Sequence, residues 1–314
     1  MDQAVSTISH RKSRADFVQR ITLAVTVMLA VVTVGAATAA PAVPAIVGGK
    51  PATISDLHWQ VAIVRGSTGG GRELHCGGVL ISPSFVLTAA HCVDKIKDSR
   101  EKFAPPPGIS KYGESELQVV VGAARFATQG TAVELSEIII HDMWKHTEFP
   151  RDYDAALLRL KVPVDPSLAI RMRSLPVNAS LGSAWVSGWG TTENAEVSQI
   201  LLAAKVPLVV QGACNAEQGY AGYVSPRMLC AGYVDGGRDA CSGDSGGPLV
   251  MGSKGAELLV GLVSWGIGCA EQHRYGVYTR IDQLGPWIDR VTANAALWTT
   301  ANPGPLFDLP DNVM

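Results

Sequence analysis

The sequence carries no surplus of either charge: Lys and Arg number 26, Asp and Glu 28, for a formal net charge of −2. A chain without a basic surplus is poorly suited to neutralising phosphates, which argues against nucleic acid as a partner. It has no polyacidic tail and no internal repeat of about 20–50 residues, so a solenoid or propeller is not expected. Only one uncharged run is long enough to cross a bilayer, which excludes a multi-span transporter. No His/Cys cluster is spaced for a catalytic metal. Apolar residues are not scarce: they make up 47% of the chain, too much for intrinsic disorder. What is abundant is turn chemistry. Glycine and proline together supply 51 of 314 residues, which favours a turn-rich β chain over a helical bundle.

The one long uncharged run lies at 21–40, behind Arg11, Lys12, Arg14 and Arg20, and ends in Gly35 and a string of Ala and Thr. A positive flank, an apolar stretch and then small residues is the pattern of an export signal. The same run is long enough to serve as a membrane anchor. Small-x-small cleavage sites stand at Ala37-Thr38-Ala39 and at Val43-Pro44-Ala45, directly before Ile46. Removing residues 1–45 takes away four basic and two acidic residues, leaving 22 and 26, a net of −4. Export also means an oxidising compartment in which cysteines pair.

Short apolar runs at 60–64, 78–81, 85–88, 117–121, 133–140 and 155–160 read as strands. A second set follows at 184–188, 200–209, 248–251, 258–264 and 276–280. They are rich in β-branched residues and bounded by Gly, Pro, Ser or charge, without long helices between them, which points to antiparallel barrels or sandwiches. Ile281, Leu284, Ile288 and Val291 share one helical face, predicting a helix over about 282–296 with Pro286 in its first turn. A proline-bearing linker separates the two strand sets at 162–176. Residues 97–116 read as a long exposed loop, and within the C-terminal tail at 297–314 the stretch 299–314 as loosely ordered.

Three segments carry chemistry. Cys241-Ser242-Gly243-Asp244-Ser245-Gly246-Gly247-Pro248 surrounds a serine with glycines, which let backbone N–H groups approach a substrate carbonyl. It also fits the G-x-S-x-G elbow of α/β-hydrolases, but that fold needs the order serine, acid, histidine with strand–helix alternation. Downstream of Ser245 the only histidine is His273, and no alternation follows. The second segment is Leu87-Thr88-Ala89-Ala90-His91-Cys92, and the third is Asp152-Tyr153-Asp154-Ala155-Ala156-Leu157-Leu158. Alone, each His or Asp reads as structural. Together the order His, Asp, Ser matches one of the chain orders of the acyl-transfer triad.

With Ile46-Val47-Gly48-Gly49, Ser187-Gly188-Trp189-Gly190 and Ser264-Trp265-Gly266 added, residues 46–295 resemble the trypsin/chymotrypsin-like serine proteases, and the trypsin branch in particular. The resemblance implies an all-β fold of two six-stranded antiparallel barrels, about 46–161 and 177–281, closed by the C-terminal helix. It implies a His91–Asp154–Ser245 triad, an oxyanion hole at the N–H groups of Gly243 and Ser245, and an acyl-enzyme route to peptide hydrolysis. Six cysteines allow fifteen pairings; the resemblance implies Cys76–Cys92, Cys214–Cys230 and Cys241–Cys269.

It further implies that cleavage frees an ammonium on Ile46 to pair with Asp244. Ala45 departs from the basic residue that many relatives carry before the new N-terminus, so an Arg- or Lys-selective enzyme would not cut there. Asp239, six residues before Ser245, would face a substrate Arg or Lys in the primary pocket, beside Ala240 and between walls at Gly266 and Gly276. Residues Ser264, Trp265 and Gly266 would pair with the substrate as an added strand. The stretch from Gly122 to Gly130 has no carboxylate, so no calcium is expected where relatives bind it, and no cofactor is implied. Partners are expected to be protein or peptide substrates and protein protease inhibitors, with the enzyme monomeric and in contact with the membrane only during export. The alternatives are a protease-shaped binding protein without catalysis and a zymogen tethered by residues 21–40.

Overall fold

The computed structural model describes residues 46–66, 70–94, 117–174, 176–177, 180, 182–192, 196–293, 297–299 and 305–309. The segment at 1–45, expected to be an export signal, and the stretch at 97–116, expected to be an exposed loop, lie outside the described residues. The described chain begins with a two-residue strand, β1 (Lys50–Pro51). The next six strands are β2 (Gln60–Gly66), β3 (Arg72–Ser82), β4 (Phe85–Thr88), β5 (Leu117–Val121), β6 (Thr131–Ile140) and β7 (Ala156–Leu160). They close an antiparallel barrel in the order β2-β3-β4-β7-β6-β5.

After β8 (Arg171–Arg173) come β9 (Ser183–Gly188), β10 (Leu202–Val209), β11 (Met228–Ala231), β12 (Pro248–Met251), β13 (Leu258–Trp265) and β14 (Gly276–Arg280). These six close a second antiparallel barrel, because β12 pairs with both β9 and β13. β1 joins the edge of β10, and β8 runs parallel to β13. β11 is the barrel strand that the sequence pattern does not announce. A four-residue Met-Leu-Cys-Ala run has no β-branched residue, and its pairing with β10 and β14 makes it a strand.

Strand alternation explains why the runs look apolar throughout. On β2, Val61 and Ile63 belong to the cluster inside the first barrel, with Leu80, Val86, Val119 and Leu158. Their neighbours Ala62 and Val64 belong to another cluster, shared with Trp185, Ala203, Leu259 and Leu262 of the second barrel. Successive side chains point to opposite faces, so strands buried on both faces lose the polar half of the pattern. Fully burying one such Leu or Ile is worth about 1.5–3 kcal/mol.

Two expectations at the C-terminus are corrected. The helix α2 is shorter than the periodicity suggests, Gly285–Thr292 rather than about 282–296. Ile281–Gln283 forms a separate 3-10 turn. Pro286, lacking an N–H, fits only the first turn and so marks the start. At the other end Ala293 adopts left-handed φ of 51° and donates its N–H to Asp289 O. The expected loose tail is also packed where it is described. β15 (Trp298–Thr299) adds in parallel to β8. Leu297, Phe307 and Leu309 are buried. Trp185 Nε1 donates to Phe307 O at 2.7 Å, and Phe307 N to Gly252 O at 3.0 Å. Prolines suppress regular structure, but they do not stop scattered apolar side chains from anchoring a segment.

Candidate active site

The pairing of β4 with β7 sets Thr88 opposite Ala156. This brings the chain just after β4 beside the chain just before β7. There the turn Ala90–Cys92 presents His91 to Asp154. Asp154 is fully buried. Its Oδ2 accepts from His91 Nδ1 at 2.7 Å and from Ser264 Oγ at 2.6 Å, and its Oδ1 from His91 N at 2.9 Å. Its carbonyl accepts from Thr279 Oγ1 at 3.0 Å. Ser264 lies on β13 and Thr279 on β14, so the second barrel helps to fix an aspartate of the first.

Ser245 lies in the turn before β12. Its carbonyl accepts from Gly77 N of β3 at 2.8 Å, and Gly246 N donates to Val263 O of β13 at 2.7 Å. The turn is therefore tied to both barrels. Gly246 has φ of 78°, and a Cβ there would lie 2.1 Å from Thr88 Oγ1, so only glycine fits. Among the described residues, neither Gly243 N nor Ser245 N donates to a protein acceptor. The disulfide Cys76–Cys92 joins β3 to the His91 turn, Cys241–Cys269 joins the serine turn to the loop after β13, and Cys214–Cys230 joins the short helix α1 (Gln211–Cys214) to β11. Cys76 and Cys92 lie near His91 but are oxidised to each other, so they do not make a metal-ligand set with it.

His91 and Ser245 line one cleft of about 260 Å³ together with Asp239, Ala240, Ser264, Trp265, Gly266 and Gly276. Asp239 is buried, and among the described residues it accepts only from backbone, Ala240 N at 2.8 Å and Ala270 N at 3.2 Å. Burial pushes its carboxyl up to about 7, against the pull of those two bonds. A Cβ at Gly276 would lie 2.5 Å from Asp239 Oδ1, so any side chain there would cover the carboxylate. Arg238 turns away from Asp239 and stacks over Tyr233, with its charge centre 5.6 Å from the ring. Trp265 packs edge-on against Tyr220, whose hydroxyl donates to Tyr275 O.

Asp244 is buried beneath the serine turn. Gly190 N reaches its Oδ1 at 2.8 Å and Cys241 N its Oδ2 at 2.9 Å. Burial pushes this carboxyl up to about 7 as well. Ile46 is fully buried in the second-barrel cluster. Next to it, Val47 O accepts from Asp239 N at 3.2 Å, so the start of the described chain is laced to the pocket segment.

Three residues of this region escaped the sequence reading. Tyr278 lines the cleft with its buried hydroxyl unpartnered among the described residues. The available signal was its spacing of two from Gly276 on one strand, which puts both on one face. Thr279 left no signal, because only the barrel pairing brings it to Asp154. Arg151 also lines the cleft. Away from the cleft, Arg72 Nη1 ties down the turn between β5 and β6 by donating to Phe126 O at 3.0 Å and Gln129 O at 2.6 Å.

A family model described as Trypsin matches residues 46–288. The chain is 39% identical over 238 residues to "Trypsin" of Simulium vittatum, covering 74% of this chain and 87% of the relative. It is 36% identical over 253 residues to "Trypsin 5G1" of Aedes aegypti, covering 79% and 85%. It is 37% identical over 265 residues to "Transmembrane protease serine 5" of Homo sapiens, covering 82% of this chain and 54% of that longer protein.

Proposed function

The chain belongs to the trypsin family and is a serine endopeptidase, and on that premise we propose that it is exported, uses a His91–Asp154–Ser245 triad and cleaves after Arg, less well after Lys. The observation that carries the reading is the hydrogen bond from His91 Nδ1 to buried Asp154, in a cleft that also holds Ser245 and, at its base, Asp239. Ser245 Oγ attacks the scissile carbonyl while His91 Nε2 takes its proton, and His91 then protonates the leaving amine. Asp154 fixes the imidazole tautomer and stabilises the imidazolium. The free N–H groups of Gly243 and Ser245 stabilise the oxyanion, where one donor is typically worth about 2.7–4 kcal/mol of barrier. Water then releases the acyl group by the same proton route.

The primary pocket favours a cation because Asp239 is buried with backbone partners alone. A guanidinium offers it a two-point contact. Asp244 invites a cation for the same reason, and the ammonium freed by cleavage before Ile46 supplies it. In this reading residues 1–45 are removed, by signal peptidase or another protease. The partners are peptide and protein substrates and protein protease inhibitors, and the enzyme acts as a monomer. N-terminal sequencing of the secreted protein, with an Arg-peptide assay on the same sample, tests this. The expected result is an N-terminus at Ile46 in the active fraction. An active form that retains Ala45 would remove the pairing with Asp244, and equal cleavage after Phe or Leu would remove the role of Asp239.

A further inference from the structure

Asp154 stands at the apex of a three-residue turn, closed by the bond from Ala155 N to Tyr153 O at 2.7 Å. The residue before it, Tyr153, takes a left-handed φ of 53°. A residue other than glycine keeps that conformation only where its surroundings hold it. One such hold is His141, just after β6, which grips both shoulders of the turn. Its N–H donates to Ala155 O at 3.0 Å. Its ring stacks on the Tyr153 ring, with centroids 4.5 Å apart and planes 18° from parallel.

The imidazole is itself held. It lies 4.8 Å from the ring of Trp287 on α2, and its Nδ1 accepts from Met143 N at 3.1 Å. Arg227, just before β11, stands over Tyr153 with its charge centre 5.1 Å from the ring, while its Nε donates to buried Asp152 at 2.8 Å. The stack therefore runs from the second barrel through Tyr153 and His141 to the C-terminal helix, passing one residue from Asp154. The charges that face His141 are Asp142 and Arg290, which pair with each other, and Asp152, which pairs with Arg227. Burial lowers His141 to about 4. The ring is thus neutral at any pH where the triad can act, and it keeps its acceptor nitrogen for Met143 N.

We propose that His141 is a positioning residue for the triad, its ring holding Tyr153 so that Asp154 keeps its alignment with His91. The inference rests on the His91–Asp154–Ser245 reading. His141 is not among the described residues that line the cleft, so it acts through the turn and not on the substrate. Without the stacked ring, the Tyr153 backbone can relax toward negative φ, which turns the Asp154 carboxylate relative to the imidazole. The His91 imidazolium is then stabilised less, in the transition state and in acid alike.

The test replaces His141 with Leu, which fills the space without a planar face, and with Phe, which restores the face. On an Arg-peptide amide, His141→Leu should lower kcat by about tenfold with KM nearly unchanged, and should move the acid limb of kcat/KM to lower pH. His141→Phe should recover most of both, although it lacks the nitrogen that serves Met143. A role in stability alone would lower the melting temperature but leave kcat and the acid limb of the folded enzyme in place, and that result overturns the proposal. So does a phenylalanine variant as impaired as the leucine one. Should His141→Leu not fold, Tyr153→Leu removes the other face of the stack and reads the same two quantities. Asp154→Asn, measured alongside, separates this inference from the reading beneath it. A loss below tenfold there removes the triad itself, whereas a large loss there beside an unimpaired His141→Leu refutes the role of His141 alone.

Discussion

The two barrels contribute to the cleft in different electrostatic states. On the first-barrel side, Asp154 has a histidine, a backbone N–H and a serine hydroxyl arranged around its two oxygens. On the second-barrel side, Asp239 and Asp244 are as deeply buried but hold two backbone N–H groups each, and burial lifts both to about 7. Folding alone completes the first side. The second side lacks a cation at two places, and the proposed function supplies one to each: the substrate's at Asp239 and the new N-terminus at Asp244. Removing a partner from the completed side should therefore be the costliest change. Asp154→Asn keeps the shape but reverses a donor, and in this family loss of the triad carboxylate lowers kcat by about 10⁴-fold. We expect a loss of that order, with KM and thermal stability moving far less. A loss below tenfold would remove Asp154 from the proposed triad.

The incomplete side makes a prediction about pH. In the uncleaved chain Ile46 N is a peptide nitrogen, and Asp244 rises from 3.8 to about 7 through burial. A raised carboxyl binds its proton more tightly when folded. Its contribution to stability is therefore fully present below about 3.8 and is lost as pH rises to about 7. The shift corresponds to roughly 4 kcal/mol at most. An ammonium at Ile46 holds the carboxylate ionised and removes that loss. The stability of the cleaved form minus that of the precursor should grow between pH 4 and 7, then shrink in alkali as the ammonium deprotonates. Asp239 carries the same sign, and His141, lowered to about 4 by burial, carries the opposite one. Both cancel because the two forms share them. Denaturant titrations of both forms at pH 4.5 and 7.5 read the difference, and equal differences at the two values would sink the Ile46–Asp244 pairing.

The same contrast shows what the sequence could and could not yield. Eleven of the twelve barrel strands announced themselves as short apolar runs bounded by turn or charged residues. β11 did not, because its strand character comes from its neighbours. His91, Asp154 and Ser245 stood out because each opens or closes an apolar strand in motif-rich sequence. Thr279 lay in a strand that looked like ordinary core, and its approach to Asp154 follows only from barrel closure; Tyr278 had only its spacing of two from Gly276 to place it on the pocket face. Arg151 carried no signal, since nothing in the sequence says that both neighbouring aspartates turn inward. The packed tail was hidden for a similar reason: Phe307 and Leu309 have no periodicity, and Phe307 is held by Trp185 and Gly252, more than fifty residues away in the chain.

The smallest expected effect sharpens the pocket half of the comparison. Ala240 lines the cleft beside Asp239 and offers it a backbone N–H but no side-chain oxygen. Arginine reaches a carboxylate with two parallel N–H groups, so it gains little from a further acceptor. Lysine is shorter, with its three donors on a single nitrogen, and loses most where Asp239 is the main acceptor within reach. A hydrogen bond to a charged group is worth roughly 1.5–3 kcal/mol. The unpartnered Tyr278 hydroxyl stands on the same wall as Gly276 and can accept in place of the missing oxygen, which returns part of that loss. The expected Arg/Lys ratio in kcat/KM is therefore about tenfold, or roughly 1.4 kcal/mol. Ala240→Ser should narrow it by raising the lysine rate while leaving the arginine rate nearly fixed. Tyr278→Phe should widen it for the same reason, and the two changes should couple when combined because they serve one ammonium. Equal rates for Arg and Lys in the parent, or a serine variant that gains nothing for lysine, would show that the second acceptor in this pocket is not what separates the two substrates.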